Sequence, residues 1–147
     1  MTIDEKQSVV LNTMLLPLAS LISTLGLDVN KLFILSFLMF LDLTTGATKA
    51  YFSKEPITSS RLSAGILSKI MLLIIPLTIA LMAKGVDMDL VWLVSFTVSI
   101  LIVAEAYSVV GNIYTIKTGE TVKEIDAVSA IVKALRRVLE NFLGDKQ

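Results

Sequence analysis

Three stretches of this chain are almost continuously apolar: about Lys31–Phe52, Leu62–Ala83 and Leu90–Val110. A hydrocarbon core about 30 Å thick takes roughly 20 helical residues to cross, and each stretch is that long. Each is therefore predicted to be a membrane-spanning helix. Each also holds a charge in its interior, Asp42 in the first, Lys69 in the second and Glu105 in the third. Charges at such depth are costly and usually face a protein interior or a water-filled path. The pattern predicts a small polytopic membrane protein with a polar seam.

The punctuation between the stretches fits this reading. Asn30 is placed to cap the first span, and Ser53–Ser60 is a polar loop with Pro56 and a Ser59-Ser60 pair. Pro76 falls near the middle of the second span, where proline is tolerated but bends the helix. Lys84–Asp89 is a tight charged turn, Trp92 suits a headgroup region at the start of the third span, and Asn112–Gly119 leads out of the membrane.

Weaker amphipathic patterns flank the spans. After a polar tip at Thr2–Gln7, residues Ser8–Leu27 are apolar but striped by Asn12, Thr13, Ser20, Ser23 and Thr24, with Pro17 near the same face. This predicts a helix that either lies in the membrane interface or inserts when partners cover its stripe. In the tail, Thr121-Val122-Lys123-Glu124 fits a capping box. Val128, Ile131, Val132, Leu135, Val138, Leu139, Phe142 and Leu143 then recur at helical spacing, opposite Lys133, Arg136, Arg137 and Glu140, and Gly144 is a natural stop. Such a helix could lie on the membrane through Lys133, Arg136 and Arg137, self-associate through Leu135, Leu139 and Phe142, or dock a soluble partner. The expected fold is all-α: an N-terminal amphipathic segment (1–30), a three-helix transmembrane domain (31–115) and a C-terminal amphipathic cytoplasmic helix (119–147).

Composition narrows the function. Hydrophobic residues make up 54% of the chain and charged ones 18%, with a mean hydropathy of +0.78. That apolar excess requires a lipid-facing surface. Thirteen basic residues balance thirteen acidic ones, which argues against nucleic acid as a partner. With no cysteine and no histidine there are no disulfides, no thiolate metal sites and no imidazole acid–base groups. No nucleophile–base pair, glycine-rich phosphate loop or metal-ligand spacing is present, so neither catalysis nor a cofactor is expected. Met1–Gln7 is acidic, which does not suit a removed signal peptide.

Charge asymmetry predicts orientation. Lys49, Lys54 and Arg61 flank the first loop, and Lys117, Lys123, Lys133, Arg136 and Arg137 mark the tail, so both read as cytoplasmic. At about 1.5 Å per residue, Lys69 lies about 21 Å inward of Ala83 and Glu105 about 24 Å inward of Asp89. An ion pair between them is available. Asp42 lies about 16 Å inward of Lys31, aligned with Thr45, Gly46 and Lys49 on one stripe of its helix. These groups either glue helices together or line a conduit, and a conduit for more than protons requires many copies.

One set of residues carries a family resemblance. Leu41-Asp42-Leu43-Thr44-Thr45-Gly46, followed by Lys49-Ala50, resembles the Asp-x-x-Thr-Gly opening of the bacteriophage and toxin-secretion holin family. The paired serines Ser59-Ser60, the Gly65-x-x-x-Lys69 segment, and Glu105 followed by Ser108 and Asn112 match later elements in order and spacing. Gly111 stands where the family usually has a second acid, and the amphipathic tail replaces the family's Pro-rich ending. The resemblance covers about Leu41–Asn112. It implies a homo-oligomeric pore-former of the bacterial cytoplasmic membrane that releases an endolysin or a secreted cargo. A non-lytic channel or anchoring subunit of a secretion system, or an antiholin, is the alternative.

Overall fold

The computed structural model describes residues 9, 12, 13 and 16–144. The polar tip Thr2–Gln7, and all of Ser8–Leu15 except residues 9, 12 and 13, lie outside the described residues. Among the described residues, five helices run in order: α1 (Leu16–Thr24), α2 (Val29–Phe52), α3 (Ser59–Gly85), α4 (Val91–Thr118) and α5 (Ala127–Gly144). The described residues contain no strand. Helices α2, α3 and α4 are each long and apolar enough to cross a membrane, and the chain is an all-helical, multi-pass membrane protein.

Local chemistry sets the helix ends, sometimes a few residues from where the sequence suggests. The cap of α2 is Asp28 rather than Asn30: its carboxylate accepts from the backbone amides of Asn30 (2.8 Å) and Lys31 (3.3 Å). A carboxylate is a strong acceptor at the positive end of a helix, and the chain enters at Gly26, whose φ of 74° suits a residue without a side chain. Thr58 caps α3 by accepting from the Arg61 amide. Helix α4 runs eight residues past Val110 to Thr118, because Asn112 and Thr115 continue its buried face. It stops at Gly119, in the left-handed region at φ 77°.

The tail helix starts at Ala127, so Thr121–Glu124 does not form a capping box. Asp126 takes that role, accepting from the Ser129 amide at 2.9 Å. Hydrogen bonding from Ser129 holds the Asp126 carboxyl below its usual range. Residues 119–126 instead run back along α4. Val122 lies against Gly111, and the Tyr114 hydroxyl donates to Glu120 at 3.0 Å. These contacts outcompete an earlier helix start.

Helix α4 is the centre of the bundle, packed most closely against α2, less against α3, and flanked by α5. The apolar core gathers in the half that carries the α3–α4 turn. Leu35 and Met39 of α2 meet Ile79, Ala80 and Ala83 of α3 and Leu93, Val94, Val98 and Leu101 of α4. Pro76 is buried within α3. Toward the α2–α3 loop, α3 buries little: Leu62, Ile66, Leu67, Ile70 and Met71 are exposed. With Phe33, Phe37 and Phe40 of α2, they give the bundle a wide apolar exterior suited to lipid or to other copies.

Helix α5 joins the same core. Ala127 and Ile131 are buried, and Ala134, Leu135 and Val138 pack against the cluster. Among the helices, α5 packs against α4.

Candidate functional site

In the other half of the bundle, polar groups replace the apolar core. The buried face of α4 reads Leu93, Thr97, Leu101, Glu105, Asn112 and Thr115, changing from apolar to polar as it passes Glu105. The ammonium of Lys69 on α3 bridges two acids from different helices. It reaches Glu105 Oε2 at 2.6 Å and Oε1 at 2.7 Å on α4, and Asp42 Oδ2 at 2.8 Å on α2. On the remaining Asp42 oxygen, Asn112 Nδ2 donates at 3.0 Å, and the same amide donates to Thr45 Oγ1 at 3.3 Å. Thr45 in turn donates to the carbonyl of Leu41. One network thus ties α2, α3 and α4 together.

Burial makes the network consequential. The side chain of Glu105 is 5% exposed, that of Asp42 13% and that of Lys69 18%. Removing one partner from a buried ion pair typically costs about 3–5 kcal/mol, because the survivor is left uncompensated. Two carboxylates face one ammonium, so full ionisation leaves one formal negative charge, softened by the Asn112 amide. Among the described residues no buried side-chain polar atom lacks a hydrogen-bond partner. Threonines elsewhere in the spans satisfy themselves by bonding to carbonyls on the preceding turn, as Thr48, Thr78 and Thr97 do.

The network forms the inner end of a cleft of about 640 Å³. Gly46, Lys49 and Ala50 of α2, Gly65 and Ser68 of α3, and Ser108 of α4 line its length. Arg61 and the Glu124–Val128 segment line it as well. Glycines make the close approach possible. A side-chain carbon on Gly65 would sit 3.2 Å from Leu43 Cδ2, and one on Gly46 would sit 3.7 Å from the Asn112 amide nitrogen. Among the described residues no cluster of acids is placed to hold a metal ion.

The structure brings together Asp42, Thr45, Lys69, Glu105 and Asn112 through direct bonds, and sets Gly46, Lys49 and Ser108 along the same cleft. The expected Lys69–Glu105 pair forms. Asp42, which has no cation on its own helix within reach, shares that ammonium; the long lysine stem spans the few ångströms by which their estimated depths differ. A second polar contact was not anticipated. Lys31 Nζ donates to Ser95 Oγ at 2.7 Å and to Ser99 Oγ at 3.5 Å, joining α2 to α4 at the turn end. The i, i+4 spacing of the two serines was its only signal.

The tail residues divide by face. Leu135 and Phe142 are half-buried, and Leu139 is exposed. Lys133, Arg136 and Arg137 are exposed, with Arg136 Nε bonded to Glu140 Oε1 at 2.7 Å.

The bacteriophage holin family profile matches residues 20–137, from α1 through most of α5. No curated protein and no solved structure gives a match. With most of its length covered, the chain belongs to the bacteriophage holin family.

Proposed function

We propose that this holin-family chain accumulates in the bacterial cytoplasmic membrane and self-associates into lesions that release an endolysin or another protein cargo. The observation that carries this reading is the Asp42–Lys69–Glu105 network at the inner end of a polar cleft, in a molecule whose outer surface is otherwise apolar along its spans. A single copy keeps these charges mutually satisfied and can remain inert in lipid. It encloses no path wide enough for a protein, so transport requires many copies. Lateral association would let the cleft-lining faces of neighbouring copies meet around water, exchanging ion pairs within a subunit for hydration and contacts between subunits.

The membrane potential can bias that exchange. One elementary charge moved across 100 mV is worth about 2.3 kcal/mol, and the network carries one formal negative charge when fully ionised. Loss of the potential would therefore alter the balance between the closed and assembled arrangements. The basic residues Lys54 and Arg61 in and beside the α2–α3 loop favour a cytoplasmic position for the mouth of the cleft.

Controlled expression in bacteria, following culture density and membrane potential with and without a co-expressed endolysin, tests the reading. Abrupt depolarisation is expected in both cultures, with rapid lysis only where endolysin is present. Continued growth at full potential would contradict it and favour an antiholin or an anchoring subunit.

A further inference from the structure

Between α4 and α5 the chain runs as an extended strap, residues 119–126, back along α4. Three features lay it over the polar end of that helix. Val122 rests on Gly111, where a side-chain carbon would sit 3.5 Å from Val122 Cβ. The Tyr114 hydroxyl donates to Glu120 at 3.0 Å. Glu124 and Lys49 of α2 line both the large cleft and a second cavity of about 40 Å³, which Asn112, Thr115 and Thr121 also line.

The strap borders the cleft without belonging to the network at its inner end. The bonds among Asp42, Thr45, Lys69, Glu105 and Asn112 join α2, α3 and α4 alone. At the strap's far end α5 packs, among the helices, against α4. The strap can therefore lift without breaking an ion pair of the spans. What lies beneath it is polar. Asn112 and Thr115 are buried, and Lys49 is half-buried with no hydrogen-bond or ion-pair partner among the described residues. A carboxylate is the natural complement to that ammonium, and Glu124 is the one that lines the smaller cavity with it.

We propose that the strap is an autoinhibitory latch. Closed, Glu124 faces Lys49 and Val122 sits on Gly111, so the cleft stays walled on that side and single copies stay apart. Lifted, it bares Lys49, Asn112 and Thr115 and frees the cleft-lining faces to meet. The proposal rests on the oligomeric reading above and adds to it the step that releases assembly.

The chain has no native cysteine, and 3.5 Å lies within the Cβ separations that a disulfide spans. Full-length protein carrying Gly111→Cys with Val122→Cys is oxidised or kept reduced, and closure within one chain is read from gel mobility. Equal amounts are then inserted into phospholipid vesicles loaded with a small dye. The oxidised protein is expected to release no dye at densities where the unmodified protein does, and added reductant should restore release. Oxidised protein that releases as fully as reduced protein, or two thiols that fail to join, would overturn the latch and leave the pore standing. Lys49→Glu sets like charges across the smaller cavity. It should bring release on at a density about two- to five-fold lower, the worth of one ion pair expressed as an equilibrium constant. Lys49→Glu with Glu124→Lys should return the onset toward that of the unmodified protein. If the thiol variant is silent even when reduced, these two variants decide: an onset unshifted by Lys49→Glu, or not corrected by the charge exchange, overturns the latch. No release by the unmodified protein would remove both the pore and its latch.

Discussion

At Lys69 one ammonium serves three carboxylate oxygens, two on Glu105 and one on Asp42, and that shared charge ties the three spans together. Lys69→Met should destabilise the protein by about 3–5 kcal/mol, read as a lower unfolding temperature in detergent, because two buried acids lose their counter-charge. Adding Glu105→Gln should recover part of that loss, and a double-mutant cycle should return a coupling of about 0.5–3 kcal/mol. Strictly additive losses would show that the pair does not act as a unit. Asp42→Asn leaves the Lys69–Glu105 pair intact while removing the extra carboxylate charge. It should shift the time of lysis at normal protein levels, and unchanged timing would take Asp42 out of the mechanism. At this scale the sequence identified the charged members, since an isolated charge in an apolar stretch is conspicuous. It did not show that Asn112 bonds to Asp42, or that Lys31 reaches Ser95 and Ser99, because such pairings depend on helix rotation and tilt.

Helices are where pattern and physics agree most closely, and where the ends differ for identifiable reasons. All three spans were legible because a continuous apolar run of this length has few alternatives. Their limits were not, since caps depend on which side chain wins a local competition: Asp28 displaces Asn30, and Asp126 displaces Thr121. The Asp126 cap gives a pH prediction. Its carboxyl is held below the usual range, so its contribution is complete above the ordinary aspartate value of about 3.9 and is lost as pH falls through the lowered folded value. Protection of the Ser129 amide, measured against its intrinsic exchange rate at each pH, should therefore fall in acid, and in Asp126→Ala it should be low at neutral pH as well. Equal protection in the variant at neutral pH would assign the helix start to packing of Ala127 alone. Helix spacing is tested at Gly65, where Leu43 lies close to any added side chain. Gly65→Leu should force α2 and α3 apart and lower the unfolding temperature, whereas Gly65→Ala asks only for a small shift of the Leu43 side chain and should cost much less.

On the scale of the whole molecule, the division into an apolar half and a polar half matters more than any single contact. The apolar half holds the bundle together near the α3–α4 turn, and the polar half leaves a cleft beside the α2–α3 loop where α3 has few partners. That division fits the proposed function, in which the cleft-bearing half rearranges when copies meet. The sequence signalled the family through the motifs between Leu41 and Asn112, but the family match extends to residue 137 and takes in the tail helix through Arg137. That wider extent agrees with α5 being packed on α4. The tail's amphipathic character was plain from periodicity, while its packing on α4 depended on the reversal at Gly119, which no periodicity reveals.

The central claim is that assembled copies open a path wide enough for a folded protein, and the most direct measurement is efflux from vesicles. Purified full-length protein is added at increasing density to vesicles of anionic bacterial-type phospholipid loaded with a small dye and with a folded protein of endolysin size. The account predicts little release at low density and a steep onset above a threshold, with the dye and the folded protein leaving together and the onset displaced by Asp42→Asn. Release of dye alone, rising in proportion to the amount of protein added, would contradict it and indicate a small channel built from single copies.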